Sequence, residues 1–341
     1  MILAGFPPPP ARGIDLPGPF FLNFYTLVII LGGILAVVVA TRLWKSRGGN
    51  GDDVFSATSW AVILGIIGAR IYHVISSPDA YFGEGGDALR ALRVWEGGLS
   101  IIGAVAAGAL GIWIACRRYG MKFGALADAV VPGVILAQAI GRWGNWFNQE
   151  LFGRTTELPW GLRIDLEQAS QAPLNTSEST LFHPTFLYES IWNLLGFVAL
   201  LWLFRRFQFK QGLLTWTYVA YYALGRFWIE SLRIDEPTKS TQYPLRELLG
   251  LDWRLNQIVM FVIFVVAIAV LLYLWARRPR TPEALAEELE IYRPDSEART
   301  GADEGAGEVA VEASEESAAD QADSAEAVET PEESTRPRTE T

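Results

Sequence analysis

Four hydrogen-bonding side chains, Arg142, Asn145, Asn148 and Glu150, follow one another within GRWGNWFNQELFG (residues 141–153), directly after the apolar run DAVVPGVILAQAI. A second set lies far downstream in GRFWIESLR, where Arg226 and Glu230 are spaced to share a helix face and Arg233 follows. Arginine offers a planar fork of donors that suits a phosphate, and it keeps its charge when buried. Asparagine amides can donate to ester or glycerol oxygens. Glutamates in such a set either orient the arginines or accept a proton. A plainer reading stays open, in which Arg226–Glu230 and Arg142–Glu150 are ion pairs that hold helices together. In either case, ionised groups at the end of an apolar segment are costly and call for a reason.

The elements that must position these groups are apolar stretches of roughly 17–23 residues, the length that crosses a ~30 Å hydrocarbon core at ~1.5 Å per residue. About seven recur, at 20–41, 54–75, 98–116, 124–141, 186–204, 212–230 and 255–276, which predicts an all-α, polytopic membrane protein. Small residues between Gly103 and Gly111 suit close helix packing inside a bundle. Arg70, in GARIYH, falls inside the second span and is a further intramembrane charge. On this reading residues 1–19 form an extracytoplasmic arm, 20–278 the transmembrane catalytic domain with a small head at about 151–185, and 279–341 a tail.

Net charge separates these parts. Residues 281–341 hold 19 acidic and 4 basic side chains, a net of −15 against −10 for the whole chain, so residues 1–280 carry +5. The tail is rich in Glu, Ala, Ser and Thr and lacks the apolar area to fold, which predicts disorder after a short helix at 283–292. Basic residues cluster after alternate spans (Arg42, Lys45, Arg47; Arg117, Arg118, Lys122; Arg205, Arg206, Lys210; Arg277, Arg278, Arg280). The positive-inside rule then puts the N-terminus outside and the tail in the cytoplasm. The first nineteen residues lack a basic region before an apolar core, so no cleavable signal peptide is expected. Cys116 is the only cysteine, which excludes an internal disulfide and a CxxC metal site. With only His73 and His183 besides, neither a metal nor a cofactor is expected, and no nucleic-acid partner is indicated.

GRWGNWFNQELFG resembles the signature of the prolipoprotein diacylglyceryl transferase family, G-R-x-G-N-F-x-N-x-E-x-x-G, with Trp146 in place of the usual Phe. Tyr25, GAR at 68–70, WEGGLS at 95–100, HPTFLYE at 183–189, GRFWIESLR at 225–233 and LNQ at 255–257 agree with it in order and spacing. The resemblance covers about residues 18–278. It implies a bacterial plasma-membrane enzyme that moves the diacylglyceryl group of phosphatidylglycerol to the thiol of a lipobox cysteine in a preprolipoprotein. A thioether forms and glycerol 1-phosphate leaves. The family's important groups then fall on Tyr25, Arg142, Asn145, Glu150, Gly153, Arg226 and Glu230, with Asn148 beside them. Arg142, Asn145, Asn148, Gly153 and Arg226 would hold the lipid, flanked by Trp143, Trp146 and Phe147 at headgroup depth.

One departure stands out. The family's glycine-serine block commonly continues into a histidine proposed to act in catalysis, and that position is Ile102 here. His73 and His183 are both expected to be structural. The competing function is a lipid or solute transporter with the same arginines as a binding site; no inverted repeat supports it, and the charges gather at one face rather than at mid-membrane.

Overall fold

Apolar runs bounded by capping residues set the architecture. The structure, a computed structural model, describes residues 5–17, 21–83, 86–167, 169, 172–173, 176–234 and 253–294. The chain divides into two units, residues 1–291 and 292–341. From residue 295 onward the tail expected to be disordered lies outside the described residues, as do residues 235–252 of the loop before the last span.

Seven long helices stand where the apolar runs predict them: α1 (Phe24–Lys45), α2 (Gly51–Ser76), α4 (Ile101–Arg118), α5 (Phe123–Asn148), α6 (Thr185–Arg206), α7 (Leu213–Leu232) and α8 (Leu255–Ala276). Asn23 and Asn50 start α1 and α2 by accepting from the Tyr25 and Asp52 amides, which satisfies a first-turn donor in each. Six of the seven are long and apolar enough to cross a membrane. The exception is α7, the expected sixth span, which has a spanning length but carries Arg226 and Glu230 and is not apolar enough to qualify. Ile29, Ile30, Leu31 and Ile34 on α1 and Val262, Val265 and Val266 on α8 are exposed, the arrangement of helices solvated by lipid. The fold is that of a polytopic all-α membrane protein.

The helices pack mainly as α1 on α5, α2 on α4, α5 on α6 and α7 on α8. Shorter elements are α3 (Asp79–Phe82), two 3₁₀ turns (Ala88–Leu92 and Val94–Glu96) and α9 (Pro282–Leu289), the last overlapping the 283–292 segment where a short helix was expected but starting one residue and ending three residues earlier. A two-stranded antiparallel hairpin, β1 (Gly13–Asp15) with β2 (Phe21–Asn23), precedes α1 and was not foreseen.

Between α5 and α6 the chain forms a small head held by single bridges rather than a sheet: Thr155 and Leu162 both pair with Phe182, and Gly153 with Arg233. Phe152, Leu162, Ile164, Phe182 and Phe186 form its core. The N-terminal arm belongs to this head: the Phe6 amide donates to Gly161 O at 2.8 Å and its carbonyl accepts from Arg163 N at 2.9 Å.

Candidate active site

The polar signature does not lie beyond α5; it forms the last two turns of that helix. After an apolar stretch around the buried Pro132, α5 continues through Arg142, Asn145 and Asn148. Gln149 and Leu151 then take left-handed backbone conformations (φ 51° and 59°), and the chain turns sharply back. That turn sends Glu150 toward the asparagines. Its Oε1 accepts from Asn145 Nδ2 at 3.0 Å and Asn148 Nδ2 at 3.4 Å. The Arg142–Glu150 ion pair of the plainer reading does not form: eight residues apart, the two exceed the i,i+3 and i,i+4 spacings that pair side chains on a helix, and Glu150 bonds the asparagine amides instead.

Arg142 pairs instead with Glu189 on the second turn of α6, Nη2 to Oε2 at 2.7 Å. The other oxygen of Glu189 meets Arg226 Nη1 at 3.2 Å, so one carboxylate bridges both arginines. Arg226 also pairs with Glu230 one turn along α7, Nη2 to Oε2 at 2.6 Å, which is the pair the spacing predicted. Glu230 in turn accepts from Asn256 Nδ2 at 3.2 Å, at the start of α8. Arg142 Nη1 reaches Asn145 Oδ1 at 3.4 Å. A continuous chain of hydrogen bonds and ion pairs therefore links Glu150, Asn145, Arg142, Glu189, Arg226, Glu230 and Asn256 across α5, α6, α7 and α8.

Burial decides how these groups can act. The Glu189 and Glu230 side chains are 6% and 4% exposed, whereas those of Arg142 and Arg226 are 21% and 13% exposed. The carboxylates are enclosed, and the guanidiniums keep edges toward the outside. Each guanidinium has five N–H donors, more than these carboxylates consume. The arrangement clamps two forks in fixed orientations and leaves donors for an incoming anion. Within the bonded chain two cations face three carboxylates, so an anion gains from directed hydrogen bonds rather than from net charge.

Tyr25 lies against the cluster through its ring. A Cβ on Gly144 would stand 2.5 Å from Tyr25 Cδ2, so only glycine lets α1 come this close to α5. No described group bonds the Tyr25 hydroxyl. Gly153 serves closeness as well: a Cβ there would meet Leu232 O at 2.8 Å, and its N–H already donates to His183 O at 2.9 Å. With that donor committed, Gly153 ties the head to the end of α7.

Several expectations need correction or addition. Trp143 and Trp146 pack with Phe6 and Phe186 under the head, with centroid separations of 5.4–6.4 Å, a contact that was not foreseen. Trp143 Nε1 donates to Ser190 and Trp146 Nε1 to Pro7 O. Arg70 is structural. Its guanidinium donates to the carbonyls of Arg90, Ala91, Arg93, Gly97 and Gly98 and so fixes the loop that contains WEGGLS. His73 packs edge-on against Tyr81. Ile102 is an exposed residue of the first turn of α4. His183 lies at the entry to α6 with Nδ1 3.2 Å from the Tyr188 hydroxyl, and burial holds its pKa below the ordinary imidazole value. Glu189 and Asn256 were the residues missed. Both lie inside quoted motifs, HPTFLYE and LNQ, and a lone carboxylate in an apolar helix was the signal that could have exposed Glu189.

Comparison with known proteins places this geometry. A family model described as prolipoprotein diacylglyceryl transferase matches residues 13–273. A phosphatidylglycerol–prolipoprotein diacylglyceryl transferase of Streptomyces coelicolor is 49% identical over 272 residues, 80% of this chain and 82% of that protein. Proteins of the same name from Cutibacterium acnes and Rhodococcus jostii are 45% and 50% identical, over 76% and 69% of this chain and 83% and 67% of theirs.

Proposed function

The chain belongs to the prolipoprotein diacylglyceryl transferase family, and from that premise we propose that the Arg142–Glu189–Arg226 clamp holds the phosphate of phosphatidylglycerol while its diacylglyceryl group passes to a prolipoprotein thiol. The observation that carries this reading is the single buried carboxylate that pairs with two partly buried arginines at one end of a membrane-spanning bundle. The protein is a membrane transferase of lipoprotein biosynthesis, the activity for which its relatives are named.

In the reaction the sulfur attacks the glyceryl carbon that bears the phosphate ester. A C–S bond forms, the C–O bond breaks with its electron pair going to oxygen, and glycerol 1-phosphate leaves. The phosphate gains negative charge as that bond breaks. Arg142 and Arg226 therefore bind the transition state more strongly than the starting diester, which is the condition for lowering the barrier. The nucleophile must lose a proton from a group of ordinary pKa ~8.5. Glu150 suits that role, since amides and no cation bond its carboxylate among the described residues. A proton taken up there also removes one negative charge from the cluster as the phosphate acquires one. This route needs no histidine at position 102. The Tyr25 hydroxyl and the Asn145 and Asn148 amides supply further donors for the headgroup.

An apolar cavity of about 260 Å³, lined by Leu224, Phe227, Trp253, Phe261 and Phe264 of α7, α8 and the residues just before α8, offers room for part of an acyl chain. The head, tied to α5 and α7 through Gly153 and Arg154, is the surface that would receive the lipobox segment. The charge pattern at alternate helix ends supports a cluster on the outer side of the cytoplasmic membrane.

The test is mass spectrometry of a synthetic lipobox peptide incubated with detergent-purified protein and phosphatidylglycerol. A diacylglyceryl mass gain is expected on a Cys peptide and not on its Ser counterpart, and phosphatidylethanolamine is expected not to substitute. A folded protein that gives no gain would overturn the reading.

A further inference from the structure

At the opposite end of the bundle we infer a second anion site: a cavity of about 700 Å³ whose three arginines, Arg47, Arg205 and Arg206, hold the phosphate of an anionic glycerophospholipid. Tyr25, at the start of α1, packs its ring on Gly144 of the signature helix α5, and α1 runs a full membrane-spanning length away from it before Ser46 and Arg47. The end of α6 returns to the same place. Ser46, Arg47, Phe204, Arg205, Arg206, Phe207, Gln208 and Leu289 line the cavity.

A lysine-lined cavity on the same face shows what satisfied cations look like here. Lys122 and Lys210 stand 3.8 Å and 4.0 Å from carboxylates of Glu290 and Glu288. Lys122 and Gln211 also donate to the Glu287 and Glu290 carbonyls, at 3.0 Å and 2.8 Å. The acidic segment around α9 thus neutralises its lysine neighbours from within the chain. Toward the arginine cavity it presents only Leu289. Among the described residues no carboxylate forms an ion pair with Arg47, Arg205 or Arg206.

Arg47 is the most constrained of the three. Its guanidinium lies 3.9 Å from the centre of the Phe204 ring. The acid that acts on it is Asp128, whose oxygens already accept from Gly212 N, Thr215 N and Thr215 Oγ1. Cations at the ends of α1 and α6 are favourable because helix C-termini carry partial negative charge. That accounts for Arg205 and Arg206 in the last turn of α6. It does not account for Arg47, which belongs to the following loop and is bent over a ring to face the same cavity. Three guanidiniums that line one cavity, none of them ion-paired to a carboxylate among the described residues, fit a phosphate, which arginine binds through paired donors.

The surroundings select a lipid over a free phosphate. Trp202 is 58% exposed and Phe207 39% exposed, and their rings meet at 5.4 Å. Large exposed aromatics beside cations at the end of a spanning helix mark the headgroup region. Leu289 and Phe204 add apolar walls for the glycerol end of the molecule. Basic pockets between spanning helices are a recurring way of holding anionic headgroups.

Native mass spectrometry of the detergent-purified full chain tests this, with dioleoyl phosphatidic acid, dioleoyl phosphatidylcholine and inorganic phosphate as separate probes. Phosphatidic acid is expected to bind best, and Arg47→Gln with Arg206→Gln to weaken it about tenfold. Arg47→Lys, which keeps the charge and the fold but loses the fork, should weaken it about threefold and decides the matter if the double variant melts early. Arg142→Gln should leave this component of binding in place, which separates the site from the transferase clamp. Unchanged phosphatidic acid binding in both Arg47 variants overturns the site. Equal occupancy by inorganic phosphate overturns the lipid assignment.

Discussion

Arg70 and the pair Arg142/Arg226 are the same residue type in the same kind of environment, yet the protein uses them differently. Arg70 is 6% exposed and all its bonds go to backbone carbonyls of one loop, from Arg90 to Gly98. Its donors are consumed, so it fixes a shape and offers nothing to a ligand. Arg142 and Arg226 are tied by side-chain carboxylates along one edge of each fork and remain partly open on the other. A buried arginine in a membrane protein is thus a hinge pin or a ligand clamp according to what saturates its N–H groups, and the count of remaining donors separates the two.

That comparison breaks first if exchanging the arginines has the same result at both places. Arg142→Gln or Arg226→Gln should cut diacylglyceryl transfer ~10²–10³-fold, the size expected for a lost transition-state donor, with little change in melting temperature. Arg70→Ala should do the reverse. Five part-buried carbonyls lose a charged donor and a buried cation is removed from under the loop, which costs about 3 kcal/mol of stability, while the protein that stays folded keeps most of its turnover. Peptide mass gain and detergent melting curves on the same preparations measure both. A slow, fully stable Arg70 variant would dissolve the distinction.

Glu189→Gln sharpens it. The amide keeps the shape of the carboxylate but lacks the charge that balances two guanidiniums, and one edge of it must present donors to a donor. Both arginines should lose their fixed orientation. A loss of ~10–100-fold in transfer is expected, smaller than for removing an arginine, because positioning is worth less than the charge itself. Glu189→Asp, too short to reach both sides, should fall between Gln and the parent. Gly144→Ala comes next. Its methyl would enter the Tyr25 ring, so α1 must move from α5 or Tyr25 must turn aside, at about 1–3 kcal/mol. Activity should fall with stability here, unlike in the arginine variants.

The helices were legible because apolar length is a one-dimensional signal. All seven long helices start within four residues of the predicted spans, and the last coincides with its prediction at both ends. The end of α5 was placed at 141, seven residues early, because polar residues were read as ending the apolar span, whereas Arg142–Asn148 continue the helix. The candidate residues were legible by type and motif. Their partners were not: Glu189 is 47 residues from Arg142 and 37 from Arg226, and only the packing of α6 against α5 and α7 brings them together. Arg70 could not be told from the clamp arginines in the sequence, because its partners are main-chain carbonyls and every residue type has one. The hairpin before α1 and the docking of Phe6 under the head escaped notice for a similar reason: short strands and single bridges carry no periodicity.

The smallest expected effect concerns the head, which has neither the saturated arginine of the WEGGLS loop nor the clamp. His183 is held below its ordinary imidazole pKa by burial, so the folded protein takes up its proton at a lower pH than the unfolded chain does. The sign follows directly. Above about pH 6.5, the unperturbed value, both states are neutral and the contribution is complete. As the pH falls from there through the folded pKa, the unfolded chain binds the proton first and stability declines. Melting temperature should drop between about pH 7 and pH 5, and part of that drop should vanish in His183→Gln, whose amide can still bond the Tyr188 hydroxyl. Because Gly153 N–H donates to the His183 carbonyl and Arg154 N–H to the Leu232 carbonyl, loosening this corner should raise the peptide KM before it lowers kcat. The opposite order would place His183 with the clamp rather than with the head, and an identical pH profile in parent and variant would remove the histidine from both.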